Sequence, residues 1–164
     1  MNRKIKFITQ SAIIAALYVV ITLIGAPLAS GTPQVRFSEA MCVLPVFTTA
    51  AIPGLTIGCA IYNFVFAGSI YDAIFGSAAT LIGAVLTYLL KKISMKRCLG
   101  FLATVPPIIS NTVVIPIMLA YTMNVKESIP VLAFWVFLGE VISCGVLGTL
   151  LLLAIKKYGK HVGI

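Results

Sequence analysis

Only four acidic side chains stand in this chain of 164 residues, and their positions are the first sign of chemistry. Glu140 falls in the middle of an apolar run over 129–155. A carboxylate in lipid costs roughly 3 kcal/mol on insertion scales, so one retained there has a partner or a task. Asn111 lies near the middle of another apolar run, between Pro106-Pro107 and Pro116, prolines that loosen a helix. Asn63 and Asp72 flank a turn at Gly68-Ser69, and Gln34, Arg36 and Glu39 crowd into the polar stretch QVRFSEAM at 34–41. With Tyr71 and Trp135 as aromatic faces, and Phe37, Tyr62 and Phe75 nearby, these groups can line one pocket. Polar groups beside rings suit a flat, hydrogen-bonding small molecule. Each group also has a plainer reading. Glu140 can be a neutral acid bonded to a neighbouring helix, Asn111 an amide that glues helices, Asp72 a helix cap, and Arg36 with Glu39 a paired loop.

Other chemistries lack their residues. There is no GxxxxGK[ST] loop for a nucleotide. The single histidine, His161, lies in the tail, which removes His-based metal sites and triads from the apolar runs. Cys42, Cys59, Cys98 and Cys144 are scattered without CxxC spacing and read as structural thiols. Neither a metal nor another cofactor is called for.

The elements that must position these residues are membrane helices. Hydrophobic residues make up 60% of the chain and charged ones 10%, against about 25% charged in a soluble domain. Mean hydropathy is +1.11. The reading is a single all-α membrane domain over 1–164. The net charge of +8 gathers at the ends of apolar runs, which suits a lipid bilayer rather than nucleic acid. Arg3, Lys4 and Lys6 precede the first run; Lys91, Lys92, Lys96 and Arg97 sit mid-chain; Lys156, Lys157 and Lys160 close it. The positive-inside rule places all three clusters in the cytoplasm, so both termini are cytoplasmic and the number of crossings is even. Apolar runs at 7–28, 99–123 and 129–155 supply three spans. The segment between them divides at Pro53-Gly54 and at Gly68-Ser69 into short spans near 38–52, 54–68 and 72–90, for six transmembrane helices in all. Residues 1–30 are also open to reading as a signal peptide, but the run is long for an h-region of roughly 7–15 residues.

Small residues recur at four-residue spacing in Ala12-x-x-x-Ala16 and Gly54-x-x-x-Gly58. Such stripes admit a neighbouring helix closely, either within the bundle or from a partner. Ala12-x-x-x-Ala16 in the first of six spans, together with QVRFSEAMCVLP (34–45), AAIPGLTIGCAIYN (50–63) and DAIFGSAATL (72–81), resembles the QueT-type queuosine-precursor S components of energy-coupling factor (ECF) transporters. The resemblance implies a six-helix S-component fold. It also implies partners: an ECF coupling membrane subunit, met at Ala12 and Ala16, and two ATPase subunits. The substrate implied is a 7-deazaguanine, either queuine or its aminomethyl precursor.

The residues agree with that substrate. One carboxylate accepts two adjacent donors of a guanine-type edge, and an aminomethyl cation wants a second acid. Chemistry alone equally permits another heterocyclic vitamin. A self-sufficient secondary carrier with Glu140 as its proton site is the alternative, and an enzyme is disfavoured by the missing catalytic groups. QVRFSEAM is expected to act as an outer lid, with Ser38 capping the helix that follows and Arg36 closing the mouth.

Overall fold

The computed structural model describes residues 2–29, 35–94, 100–122 and 127–162, and every regular element among them is helical. Helix α1 (Arg3–Ile24) is capped by Asn2, whose Oδ1 accepts the Lys4 N–H at 3.2 Å, and it stops at Gly25. A single turn, Ala26–Ala29, follows. Helix α2 (Phe37–Val46) is a 3-10 helix with Pro45 near its end. At ~2 Å per residue it reaches only ~20 Å, well short of the ~30 Å hydrocarbon core. Helix α3 runs Ala51–Ile61 and widens into a π turn over Tyr62–Phe66. The chain reverses at Gly68, whose φ of +67° is a left-handed conformation open to glycine. Ser69 then caps α4 by accepting the Asp72 N–H on its Oγ at 3.1 Å. Helix α4 opens as a π turn, Asp72–Gly76, and continues as Ser77–Leu89. Helix α5 is Gly100–Ala103 in 3-10 form and then Val105–Thr122. Helix α6 runs Ile129–Glu140, widens over Val141–Gly148 and ends as Thr149–Val162.

Among the described residues four helices are long and apolar enough to cross a membrane: Arg3–Ile24, Asp72–Leu89, Gly100–Thr122 and Ile129–Tyr158. The outward faces are greasy: Ile24 is 74% exposed and Val65 62%. A water-facing surface would not carry such residues contiguously, so the medium around the bundle is lipid.

The first division of the middle segment differs from the expectation. The break falls at 47–50, not at Pro53-Gly54, and Pro53 lies in the first turn of α3. A first-turn N–H has no helical partner, so proline is tolerated there.

Packing runs α1 on α3, α3 on α4, α4 on α5 and α5 on α6. The short α2 wedges between α4 and the wide part of α6. Its residues Met41, Cys42, Val43 and Val46 are all buried. The α1–α3 contact is made by absent side chains. A Cβ on Gly54 would lie 2.8 Å from the Ser11 carbonyl oxygen, and one on Gly58 would lie 2.8 Å from Tyr18 Cβ and 2.9 Å from the Ala15 carbonyl oxygen. The Gly54-x-x-x-Gly58 stripe is therefore an internal seam. Ala12 and Ala16 lie on the other side of α1, exposed. They line an apolar groove of about 740 Å³ with Pro53 and Ile57.

Glycine-to-alanine changes in a helix ordinarily stabilise by about 1 kcal/mol. At Gly58 the sign should reverse, with a loss of about 1–3 kcal/mol from overpacking against backbone. Thermal unfolding of Gly58→Ala in detergent measures this, and an unchanged or raised midpoint would contradict the contact.

Candidate functional site

The polar core begins at Tyr18, which is 1% exposed. The Gly58 approach holds its Cβ against α3, and its hydroxyl donates to Glu39 Oε1 at 2.7 Å. Glu39 sits in the first turn of α2 and is 2% exposed. Its second oxygen, Oε2, accepts the Cys42 thiol at 3.0 Å and, at the long limit of 3.5 Å, the Asn111 amide. The same Asn111 Nδ2 donates to Glu140 Oε1 at 2.8 Å. One amide nitrogen on α5 thus stands between two buried carboxylates, one from α2 and one from α6.

Around this clamp the helices are irregular. Glu140 is the last residue of regular α-helix before the wide stretch Val141–Gly148. Asn63 lies in the π turn that ends α3, and Gly76 in the π turn that opens α4. π turns insert a residue and so re-aim the side chains beyond them, which is why they gather at functional sites. Ser143, in the wide part of α6, accepts the Arg36 N–H on its Oγ at 3.1 Å and fixes the start of α2 against α6. Ser38 does not cap α2. The cap position is Arg36, without a side-chain bond, and Ser38 Oγ is buried 2.7 Å from Thr22 Oγ1 of α1.

These groups enclose a cavity with about 20 Å³ of free space, lined by Arg36, Glu39, Asn111 and Glu140. Cys59, Thr80 and Gly76 form one wall, and Ile115 and Val136 an aliphatic one. That is room for about one water. Two buried acceptors near it have no partner among the described residues: Glu140 Oε2 and Asn63 Oδ1. A buried polar atom left unpaired costs about 1–3 kcal/mol, so both oxygens ask for a further partner.

The structure gathers part of the expected set. Arg36, Glu39, Asn111 and Glu140 converge on the cavity. Asn63 is buried beside it, its Nδ2 donating to the Asp72 carbonyl at 3.2 Å and lying 3.2 Å from where a Gly76 Cβ would stand. Asp72 meets Asn63 through that backbone carbonyl, and its side chain is not on the cavity wall. Tyr71 is 50% exposed, and Trp135 packs edge-on to Phe134 at 5.7 Å; neither lines the cavity. Gln34 lies outside the described residues. The sequence offers no reading for Tyr18 or Thr80, and it reads Cys42 and Cys59 as structural thiols. A lone tyrosine in the first apolar run was a usable signal for Tyr18, whereas the thiols gave none.

Chemically the cavity is rich in acceptors, with a single guanidinium as the cationic donor. It suits a compact ligand that offers several N–H groups and a carbonyl. Among the described residues, no three or more His, Cys, Asp or Glu side chains converge as a metal site.

Comparison with protein-family models matches the QueT transporter model over residues 8–157. No curated protein and no solved structure matches the chain. The family match spans nearly the whole chain, including every residue of the buried clamp and all four long apolar helices except their outermost turns. With its lipid-facing surface and its acceptor-lined cavity, this chain belongs to the QueT transporter family, and it is a membrane transport protein rather than an enzyme.

Proposed function

We propose that the chain is the substrate-binding S component of an ECF-type importer and captures a queuosine precursor, a 7-deazaguanine such as queuine or its aminomethyl precursor. The observation that carries this reading is the pair of buried carboxylates, Glu39 and Glu140, held about one amide beside the cavity. One acid accepts the N1–H and exocyclic amine of a guanine-type edge, and the other faces the aminomethyl cation. Arg36 donates to the ring carbonyl. The aliphatic wall of Ile115 and Val136 takes one face of the ring, and the bare backbone at Gly76 the other.

The cavity holds about one water as it stands. A bicyclic ligand therefore enters only when the chain at Arg36 moves outward, and the Arg36–Ser143 bond is the contact that resists this. The lid of this reading is thus Arg36 itself, while Glu39 behind it belongs to the pocket floor.

In the membrane we assign six crossings, with α2 and α3 as short ones. Both termini face the cytoplasm of a multi-pass cell-membrane protein, as the basic clusters ask. Gln34, Tyr71, Asp72 and Trp135 remain candidates for contact with a ligand in the opened state. Ala12 and Ala16 form the face for a coupling membrane subunit, which in turn carries two ATPases. Their exposure and the apolar groove beside them support that role.

Two tests follow from these assignments. Glu39→Gln and Glu140→Gln each keep the shape and remove a charge. Each should weaken binding of 7-aminomethyl-7-deazaguanine about 10- to 100-fold in calorimetry, since a hydrogen bond to a charged group contributes about 1.5–3 kcal/mol. Wild-type affinity in both variants would remove the acids from recognition. The double variant Ala12→Leu/Ala16→Leu should abolish copurification with a coupling subunit and uptake into cells. Binding by the isolated chain should stay intact, and its loss instead would place the stripe inside the bundle.

A further inference from the structure

We infer that the empty site is itself a proton-binding site, with the proton held on Glu140 and given up when a cationic ligand arrives. The two acids are unequally supplied with donors. Glu39 receives Tyr18 Oη at 2.7 Å, Cys42 Sγ at 3.0 Å and the long contact from Asn111. Glu140 receives the Asn111 amide alone, and its Oε2 is buried with no partner among the described residues. Hydrogen bonds donated to a carboxylate favour its charged form, so a proton shared by the pair falls to Glu140, the acid with fewer donors.

Charge balance asks for one proton on this pair. The groups acting on Glu140 are Arg36 at the start of α2, Glu39 and Cys42 of α2, the Asn111 amide of α5 and Cys144 of α6 itself, while Cys59 of α3 lines the same cavity, Tyr18 of α1 bonds Glu39, and Asp72 of α4 acts on Arg36. Arg36 is the single cation among them. Two ionised acids against one guanidinium would leave an uncompensated charge in an apolar bundle, a cost of several kcal/mol. A proton on Glu140 Oε2 removes that charge, and the cavity has room for about one water to accept it.

Ligand capture then balances as an exchange. The aminomethyl cation enters, the Glu140 O–H bond breaks, its electron pair stays on the carboxylate, and the proton leaves to solvent. The net charge of the site is the same before and after. Capture therefore weakens about tenfold for each pH unit of acidification over the range in which Glu140 holds its proton only in the empty site.

The first test needs no ligand. Infrared spectra of the ligand-free chain in an ester-free detergent at neutral pH should contain the C=O stretch of a protonated carboxylic acid. Glu140→Gln should abolish it, and of the charge-conserving variants Glu140→Asp should shift it while Glu39→Asp should leave it in place. A missing band, or one that survives Glu140→Gln, overturns the inference. The second test rests on the proposed substrate. Calorimetry with 7-aminomethyl-7-deazaguanine, in two buffers of different protonation enthalpy, should give one proton released per ligand by the wild type and none by Glu140→Gln. Binding with no proton released contradicts the exchange. Failure of the wild type to bind this probe sinks the substrate assignment instead and leaves the infrared result to decide the proton.

Discussion

One amide nitrogen holds the buried polar clamp in place. Asn111 Nδ2 lies 2.8 Å from Glu140 and 3.5 Å from Glu39, inside a bundle whose surroundings are hydrocarbon. In that medium polar groups have no water to fall back on, and each must be satisfied by another part of the chain or by a ligand. The three helices that meet at this amide are thereby fixed in register, because slipping any one by a residue would strand a carboxylate. The remaining features of the fold serve this meeting. The Gly54–Gly58 seam brings Tyr18 close enough to reach Glu39, and Ser143 ties the start of α2 to α6.

The irregular helices follow from the same demand. Regular α-helices from opposite sides of a bilayer would bury one narrow stripe each. Here α2 is wound tighter and three stretches are wound wider: Tyr62–Phe66, Asp72–Gly76 and Val141–Gly148. Each change of pitch turns a polar residue inward that a regular helix would have turned elsewhere. The short α2 has the same use: it places Glu39 in the interior within a helix of 10 residues.

Much of this was legible in the sequence, and the reasons differ by residue. Glu140 and Asn111 stand out because lipid penalises them, so their retention implies a task, and the structure brings both to the cavity. Glu39 was visible only as part of a polar stretch. Its depth was hidden because nothing in QVRFSEAM announces a 3-10 helix, and the polarity of the stretch suggested a surface loop. The break assigned to Pro53-Gly54 fell slightly late because a first-turn proline and a helix-breaking proline read alike in sequence. Tyr71 and Trp135 were chosen as rings able to stack, but ring type carries no direction, and the π turn following Tyr71 sets which side chains face inward. Cys42 and Cys59 look like small hydrophobes, and only tertiary contact shows one donating to Glu39 and the other lining the wall.

The central claim is that the Glu39–Asn111–Glu140 clamp is the place where the ligand is held. An experimental structure of the chain bound to 7-aminomethyl-7-deazaguanine tests it most directly. The account predicts the ring between the Ile115–Val136 wall and Gly76, its amine and guanine-type edge on the two carboxylates, and Arg36 displaced from its present seat. A ligand seated instead at the outer turn, against Tyr71 and Asp72 with the clamp still closed and intact, would contradict it.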